Sequence, residues 1–121
     1  MKILIVEDDE VMLMLVQHQL AKDNYTISAH LNAREALQAL ETFTPDLIIT
    51  DILMPFTSGL ELISIVRTSN SKIPILVLSA LDQETIVLQA LSAGANDFIT
   101  KPFNGAELSV RVKKLLAAKK K

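Results

Sequence analysis

The stretch ILIVEDDE, residues 3–10, decides how the chain is interpreted, because a short apolar run ends directly in four acidic residues. Four consecutive apolar residues are typical of a strand that is covered on both faces. Two carboxylates about 5 Å apart repel each other by roughly 3 kcal/mol at an effective dielectric constant near 20. The sequence therefore predicts either a cation beside these acids or acidic side chains that reach into water.

Length and composition indicate one domain with an ordinary core. The chain has 121 residues, half of them apolar and only 4% aromatic, which suits a single α/β domain. The absence of cysteine excludes a disulfide framework and a thiolate metal site. No apolar run approaches the roughly 20 residues that span a bilayer, and the first ten residues do not form a secretion signal. We therefore expect a cytoplasmic protein that binds no membrane.

Charge is unevenly distributed along the chain. All 14 acidic residues lie within residues 1–109, whereas six of the 12 basic residues lie within residues 110–121. Basic residues are favoured at the C-terminal end of a helix by the helix dipole, so we interpret the basic segment as a solvated helix end. Neither the net charge of −2 nor the aromatic content predicts a nucleic-acid-binding surface.

Short apolar runs alternate with segments of helical periodicity. Strands are predicted at residues 2–6, 26–29, 46–50, 73–78 and 97–100, and helices near residues 10–22, 33–42, 59–68, 83–93 and 105–118. Five β-α units in strict alternation predict a parallel sheet with helices on both faces.

Several helices carry start or stop signals. Asn32, Ser58 and Asn104 each stand three residues before a glutamate, as in a capping box. Asp82 is a candidate cap for the fourth helix, and Gly94 fits the position just past its end.

Reactive side chains follow four of the five predicted strands. Glu7 and Asp8 follow the first strand, Asp51 the third, Ser79 the fourth and Lys101 the fifth. Ligand sites of open α/β sheets lie at the carboxyl ends of the strands, so we expect these groups to converge on one edge.

This set of groups suits phosphoryl chemistry. The carboxylates of Glu7, Asp8 and Asp51 are the hard oxygen ligands that Mg²⁺ or Mn²⁺ prefers, and such an ion would offset their repulsion. Asp51 is a candidate nucleophile that would form an acyl phosphate. Lys101 would pair with a phosphoryl oxygen, and Ser79 would donate a hydrogen bond to another. The alternative is that Asp8, Asp9 and Glu10 merely occupy a helix N-terminus, where the helix dipole favours them.

The chain resembles the receiver domain of response regulators in two-component signal transduction. The resemblance rests on ILIVEDD (residues 3–9), DLIITDILMPFTSGLEL (46–62), PILVLSA (74–80) and GANDFITKPFNGAEL (94–108). It implies one flavodoxin-like receiver domain over residues 1–121, with a doubly wound, five-stranded parallel sheet of order 2-1-3-4-5 and five helices.

The resemblance also implies a role for each site residue. Asp51 would be the phosphoacceptor, Asp8 a direct Mg²⁺ ligand, Glu7 a ligand acting through water, and the backbone carbonyl of Leu53 a further ligand.

The remaining roles concern the switch. Ser79 would be the switch hydroxyl, Lys101 the site lysine and Phe98 the rotating aromatic residue. The peptide bond before Pro102 is expected to be cis.

The same resemblance implies a signalling switch and its partners. A sensor histidine kinase or phosphotransfer protein would phosphorylate Asp51, and the change would reach the face formed by helix 4, strand 5 and helix 5. Asp97, Glu107 and Arg111 are candidate charges on this face for a phosphorylation-dependent homodimer. DNA would be bound only through an output domain outside this sequence. Residues 117–121 would be the start of the linker to that domain. The other expectation is a single-domain relay. The chain would not be an independent enzyme.

Three other interpretations compete with this one. A Mg²⁺-dependent phosphatase of the haloacid dehalogenase type would carry a second aspartate two residues after the nucleophile, where this chain has Leu53. A nucleotide- or flavin-binding module of the same fold would carry a glycine- or hydroxyl-rich loop after the first strand, where this chain has acids. A purely structural interaction domain would leave the convergent site residues unexplained.

Overall fold

Strands and helices alternate along the chain in a computed structural model, which describes residues 1–54, 58–69, 71–81 and 83–119. In chain order the elements are β1 (Lys2–Val6), α1 (Glu10–Ala21), β2 (Thr26–His30), α2 (Ala33–Ala39), β3 (Leu47–Thr50), α3 (Gly59–Thr68), β4 (Ile75–Ser79), α4 (Glu84–Ala93), β5 (Asp97–Thr100) and α5 (Gly105–Lys119).

The five strands form one parallel sheet in the order β2-β1-β3-β4-β5, which confirms the predicted topology. Val6 at the end of β1 is paired with His30 of β2 and with Thr50 of β3. Ser79 at the end of β4 is paired with Thr100 of β5. The carboxyl ends of the strands therefore meet at one edge of the sheet, where the sequence places its acids and Lys101.

Helices cover both faces of the sheet. In β1, Ile3 and Ile5 belong to the core on the side of α1 and α5, whereas Leu4 and Val6 belong to the core on the side of α2, α3 and α4. All four side chains are at most 1% exposed. Burying one such side chain stabilises the fold by about 1.5–3 kcal/mol. The two cores therefore hold the sheet, and the residues at its edge, in a defined position.

Three capping predictions are confirmed by hydrogen bonds. The side chains of Asn32, Ser58 and Asn104 each accept a bond from the backbone N–H three residues on, over 2.8, 3.2 and 2.7 Å. The predicted cap Asp82 lies outside the described residues; α4 has Gln83 at its N-cap position, without a side-chain capping bond.

Two elements differ from their predicted bounds by more than one residue, for identifiable reasons. β4 begins at Ile75 and not at residue 73, because Pro74 has no N–H to donate to a ladder. α2 ends at Ala39 and not at residue 42, because the next turns close with i→i−3 bonds from Glu41 and Thr42.

Arg67 links the end of α3 to the end of α4 through hydrogen bonds. Its guanidinium donates to the carbonyl oxygens of Gly94, Ser71 and Ile73 and to Oδ1 of Asn96, over 2.8–3.1 Å. Gly94 ends α4 with a φ of 124°, a conformation that favours glycine, as predicted for this position.

The C-terminal helix α5 extends into the segment that was expected to be a linker. α5 runs to Lys119, so the expected linker at residues 117–121 begins inside a helix and ends outside the described residues; it stays a prediction. Within the described part of the chain, no helix combines the length and the apolar character needed to cross a membrane.

Candidate functional site

Lys101 joins the ends of three strands through two ion pairs. Its Nζ donates to Oε1 of Glu7, which follows β1, and to Oδ2 of Asp51, which follows β3, over 3.0 Å in the second case. The three side chains are 14%, 4% and 10% exposed. The structure thus brings together an ammonium and two carboxylates that lie 94 and 50 residues from it in the sequence.

Asp8 completes an acidic cluster with Glu7 and Asp51. One carboxylate oxygen from each of the three lies within 4.8 Å of the others. Glu7 and Asp51 are buried, whereas Asp8 is exposed, so the cluster reaches solvent on one side. Three hard oxygen donors at this spacing form the kind of ligand set that Mg²⁺ or Mn²⁺ uses, with water completing the shell.

The electrostatics of the cluster favour an added cation. Burial raises the pKa of Glu7 to about 7, and the neighbouring charge of Asp51 acts in the same direction, against the hydrogen bond from Lys101. Burial alone would lower the pKa of Lys101, but its bonds to Glu7 and Asp51 raise it overall. The bond from Lys101 therefore does not fully offset the burial of the Glu7 carboxylate, and a divalent ion would further favour the ionised carboxylates.

Backbone groups of the sheet hold Asp51 in place. Its N–H donates to the carbonyl oxygen of Val6 over 3.1 Å, which continues the pairing of β3 with β1 by one residue. Its Oδ1 accepts a bond from the N–H of Ile52 over 2.7 Å, while Oδ2 accepts from Lys101. Each of the two carboxylate oxygens of Asp51 thus accepts a hydrogen bond from a defined donor.

The four acids after β1 have different surroundings. Glu7 donates its N–H to the carbonyl oxygen of His30 and accepts at Oε2 from the N–H of Asp9. The side chain of Asp9 instead caps α1, where its Oδ1 accepts from the N–H groups of Val11 and Met12. The interpretation of Asp8, Asp9 and Glu10 as helix-terminus residues therefore holds for Asp9, which caps α1, and for Glu10 in its first turn, whereas Asp8 joins the acidic cluster.

Ser79 lies buried at the end of β4, the strand next to β3. It is 1% exposed, and its hydroxyl oxygen accepts a bond from the N–H of Leu81 over 3.1 Å. Phe98 is half-buried and packs against the core on the side of α3 and α4. Leu53 is 60% exposed, and the Lys101–Pro102 peptide bond is cis.

The three charges expected on a dimer face interact with one another within the chain. Arg111 binds both carboxylate oxygens of Asp97, at 2.8 and 3.0 Å, and lies 3.8 Å from a carboxylate oxygen of Glu107. α4 also exposes Leu88 and Leu91, which are 54% and 43% accessible. A dimer built on these charges would have to exchange internal pairs for pairs between chains.

Comparison with known proteins agrees with this geometry. The sequence model described as the response regulator receiver domain matches residues 3–113. The alkaline phosphatase synthesis transcriptional regulatory protein PhoP of Bacillus subtilis is 38% identical over 95% of this chain and 48% of its own length. The transcriptional regulatory protein KdpE of Staphylococcus aureus is 42% identical over 93% of this chain and 48% of its own length. The chain thus spans about half the length of these relatives.

Solved structures give the same result. The receiver domain of the Francisella response regulator 1452 superposes with a TM-score of 0.91 at 31% identity, with 97% of each chain covered. A probable two-component system response regulator/GGDEF domain protein superposes with a TM-score of 0.95 at 31% identity, over all of this chain and 51% of the other.

Proposed function

Since the chain belongs to the response regulator receiver domain family, we propose that it is a phosphorylation-activated switch whose phosphoacceptor is Asp51. The observation that carries this proposal is the contact of buried Asp51 with Lys101, beside the carboxylates of Glu7 and Asp8. A sensor histidine kinase or a phosphotransfer protein is the proposed donor, in the cytoplasm, where ATP is available to charge the kinase.

The proposed step is a transfer of the phosphoryl group between two nucleophiles. A carboxylate oxygen of Asp51 forms a bond to phosphorus, and the bond from phosphorus to the histidine nitrogen breaks. The nitrogen keeps the electron pair and takes up a proton, so the products are an acyl phosphate and a neutral imidazole. Lys101, already within 3.0 Å of Asp51, pairs with a phosphoryl oxygen as charge develops there.

The residues present fit a divalent ion. Glu7, Asp8 and Asp51 would hold Mg²⁺ or Mn²⁺, together with the backbone carbonyl of Leu53 and water. Such an ion supplies charge neutralisation for the phosphoryl oxygens. The chain itself contributes the ligand oxygens, the ammonium of Lys101 and a largely buried setting that strengthens these interactions.

Ser79 and Phe98 are the proposed switch. The Ser79 hydroxyl, now bound to the N–H of Leu81, would turn to the phosphoryl group, and Phe98 would move into the space released. The face of α4, β5 and α5 would change as a result. A Ser79→Ala variant that still changes this face on phosphorylation, seen in amide NMR shifts, would contradict this part.

Two outputs are compatible with the family. The relatives named above are transcriptional regulators about twice as long as this chain, so we propose that any DNA contact is made by an output domain and not by residues 1–121. A single-domain relay is the alternative. A phosphorylation-dependent homodimer through Asp97, Glu107 and Arg111 remains part of the proposal.

We also propose that the chain is not an independent enzyme, although it assists its own phosphorylation and dephosphorylation. Leu53 stands where a phosphatase of the haloacid dehalogenase type needs its second aspartate. Family membership favours the receiver interpretation over that phosphatase and over a nucleotide-binding module.

Metal dependence tests the proposed function. Wild-type protein mixed with phosphoramidate and Mg²⁺ should gain the mass of one phosphoryl group, and a chelator should prevent this gain. Asp8→Asn should need about tenfold more Mg²⁺ for the same rate, because an anionic ligand becomes a neutral one. Asp23→Asn, which removes an acid that bonds to Ser109 away from the cluster, is the matched control. Equal rates with and without the chelator would contradict the proposal.

A further inference from the structure

Thr50 carries a fully buried hydroxyl directly before the proposed phosphoacceptor. It is 0% exposed and ends a strand whose other residues are Leu47, Ile48 and Ile49. A buried hydroxyl costs free energy unless it is hydrogen-bonded, and a valine would fill nearly the same space without that cost. The hydroxyl of Thr50 donates to the carbonyl oxygen of Asp51 over 2.9 Å.

This bond acts on the peptide unit that holds the Asp51 carboxylate. The carbonyl of Asp51 and the N–H of Ile52 belong to one planar peptide group, so they cannot turn independently. The same N–H donates to Oδ1 of Asp51 over 2.7 Å. By fixing the carbonyl, the hydroxyl of Thr50 therefore also fixes the donor that orients the carboxylate.

Gly59 confines the same peptide group by direct packing. A Cβ atom on Gly59 would lie 1.9 Å from the carbonyl oxygen of Asp51 and 2.8 Å from Cα of Ile52. The N–H of Gly59 donates to the carbonyl oxygen of Ile52 over 2.8 Å. The start of α3 is thus pressed against the backbone that follows β3, and only glycine allows this approach.

We propose that Thr50 is a positioning residue for Asp51. Its hydroxyl and the close approach of Gly59 hold the 51–52 peptide, whose N–H aims one carboxylate oxygen while Lys101 binds the other. Phosphoryl acceptance then depends on a side chain that bonds to the backbone of Asp51 and to none of the carboxylate oxygens proposed to bind the metal. This inference rests on the proposed function of Asp51.

The test compares Thr50→Val, which removes the hydroxyl, with Thr50→Ser, which retains it. The rate of phosphorylation by phosphoramidate with saturating Mg²⁺ is measured against phosphoramidate concentration. We expect the maximal rate of Thr50→Val to fall about fivefold, as for the loss of one buried hydrogen bond, with the half-saturating concentration unchanged. Thr50→Ser should stay within about twofold of wild type.

A second readout reports the contact itself. The amide proton of Ile52 should shift upfield in the NMR spectrum of Thr50→Val, because its bond to Oδ1 lengthens, and should keep its position in Thr50→Ser. Thermal unfolding of all three proteins ensures that rates are compared where each is folded.

The outcomes separate this inference from the proposed function. A Thr50→Val protein with the wild-type rate and an unshifted Ile52 amide would overturn the positioning role, as would a Thr50→Ser protein as slow as Thr50→Val. Wild-type protein that accepts no phosphoryl group would contradict the proposed function instead, and the Ile52 amide would still decide whether Thr50 positions Asp51.

Discussion

Asp51→Asn is expected to abolish phosphoryl acceptance. The amide has nearly the shape of the carboxylate but lacks an anionic oxygen that can attack phosphorus, so no acyl phosphate forms. The fold should persist, because Lys101 keeps its partner Glu7 and the amide oxygen can still accept from the N–H of Ile52. Intact-mass measurement after incubation with phosphoramidate and Mg²⁺ should show no added phosphoryl group.

Asp97→Asn is the matched control for this experiment. Asp97 begins β5, so in a parallel sheet it lies at the edge opposite the acidic cluster, and its carboxylate binds Arg111. This variant should accept one phosphoryl group at the wild-type rate. Acceptance by Asp51→Asn at a comparable rate would show that another residue is the phosphoacceptor.

Lys101→Met is expected to slow phosphoryl acceptance about a hundredfold. Methionine keeps much of the side-chain length but removes the ammonium that would pair with the phosphoryl oxygens, and removing one such preorganised donor costs about 10²–10³ in rate. It also leaves buried Glu7 and Asp51 without their cation, so the pKa of Glu7 should rise further above about 7. The rate is measured by intact mass with phosphoramidate at saturating Mg²⁺.

Lys114→Met supplies the control for loss of one positive charge. Lys114 is exposed on α5, so its removal changes the net charge equally but leaves the cluster untouched. This variant should react like wild type. If Lys101→Met also reacted like wild type, Lys101 would have no part in the transfer.

The sequence was sufficient to predict which strand ends meet. Parallel strands place their carboxyl ends at one edge, so five alternating units predicted that Glu7, Asp8, Asp51 and Lys101 lie at that edge. The strand order that makes β1 and β3 neighbours was implied by the family resemblance. It was less predictable which of the four adjacent acids would join the cluster and which would cap α1. Asp9, directly before α1, caps the helix, whereas Asp8, nearer the end of β1, joins the cluster.

Contacts to backbone oxygens are the part that sequence reasoning missed. Arg67 has neither an acidic neighbour in sequence nor a recognisable motif, and its partners are mostly carbonyl groups, which every residue carries. Thr50 did leave a signal, a single hydroxyl at the end of an apolar strand. Its partner, the carbonyl of Asp51, depends on the path of the chain after β3 and on Gly59, which residue types alone do not specify.

Chemical mapping of the phosphoryl group identifies the residue that accepts it. Wild-type protein is treated with phosphoramidate and Mg²⁺ and then with borohydride, which reduces an aspartyl phosphate to homoserine and releases phosphate. Peptide sequencing by mass spectrometry then locates the homoserine. If Asp51 is the phosphoacceptor, homoserine appears at position 51 and at no other aspartate; homoserine elsewhere, or phosphate on a side chain that resists borohydride, would contradict this role of Asp51.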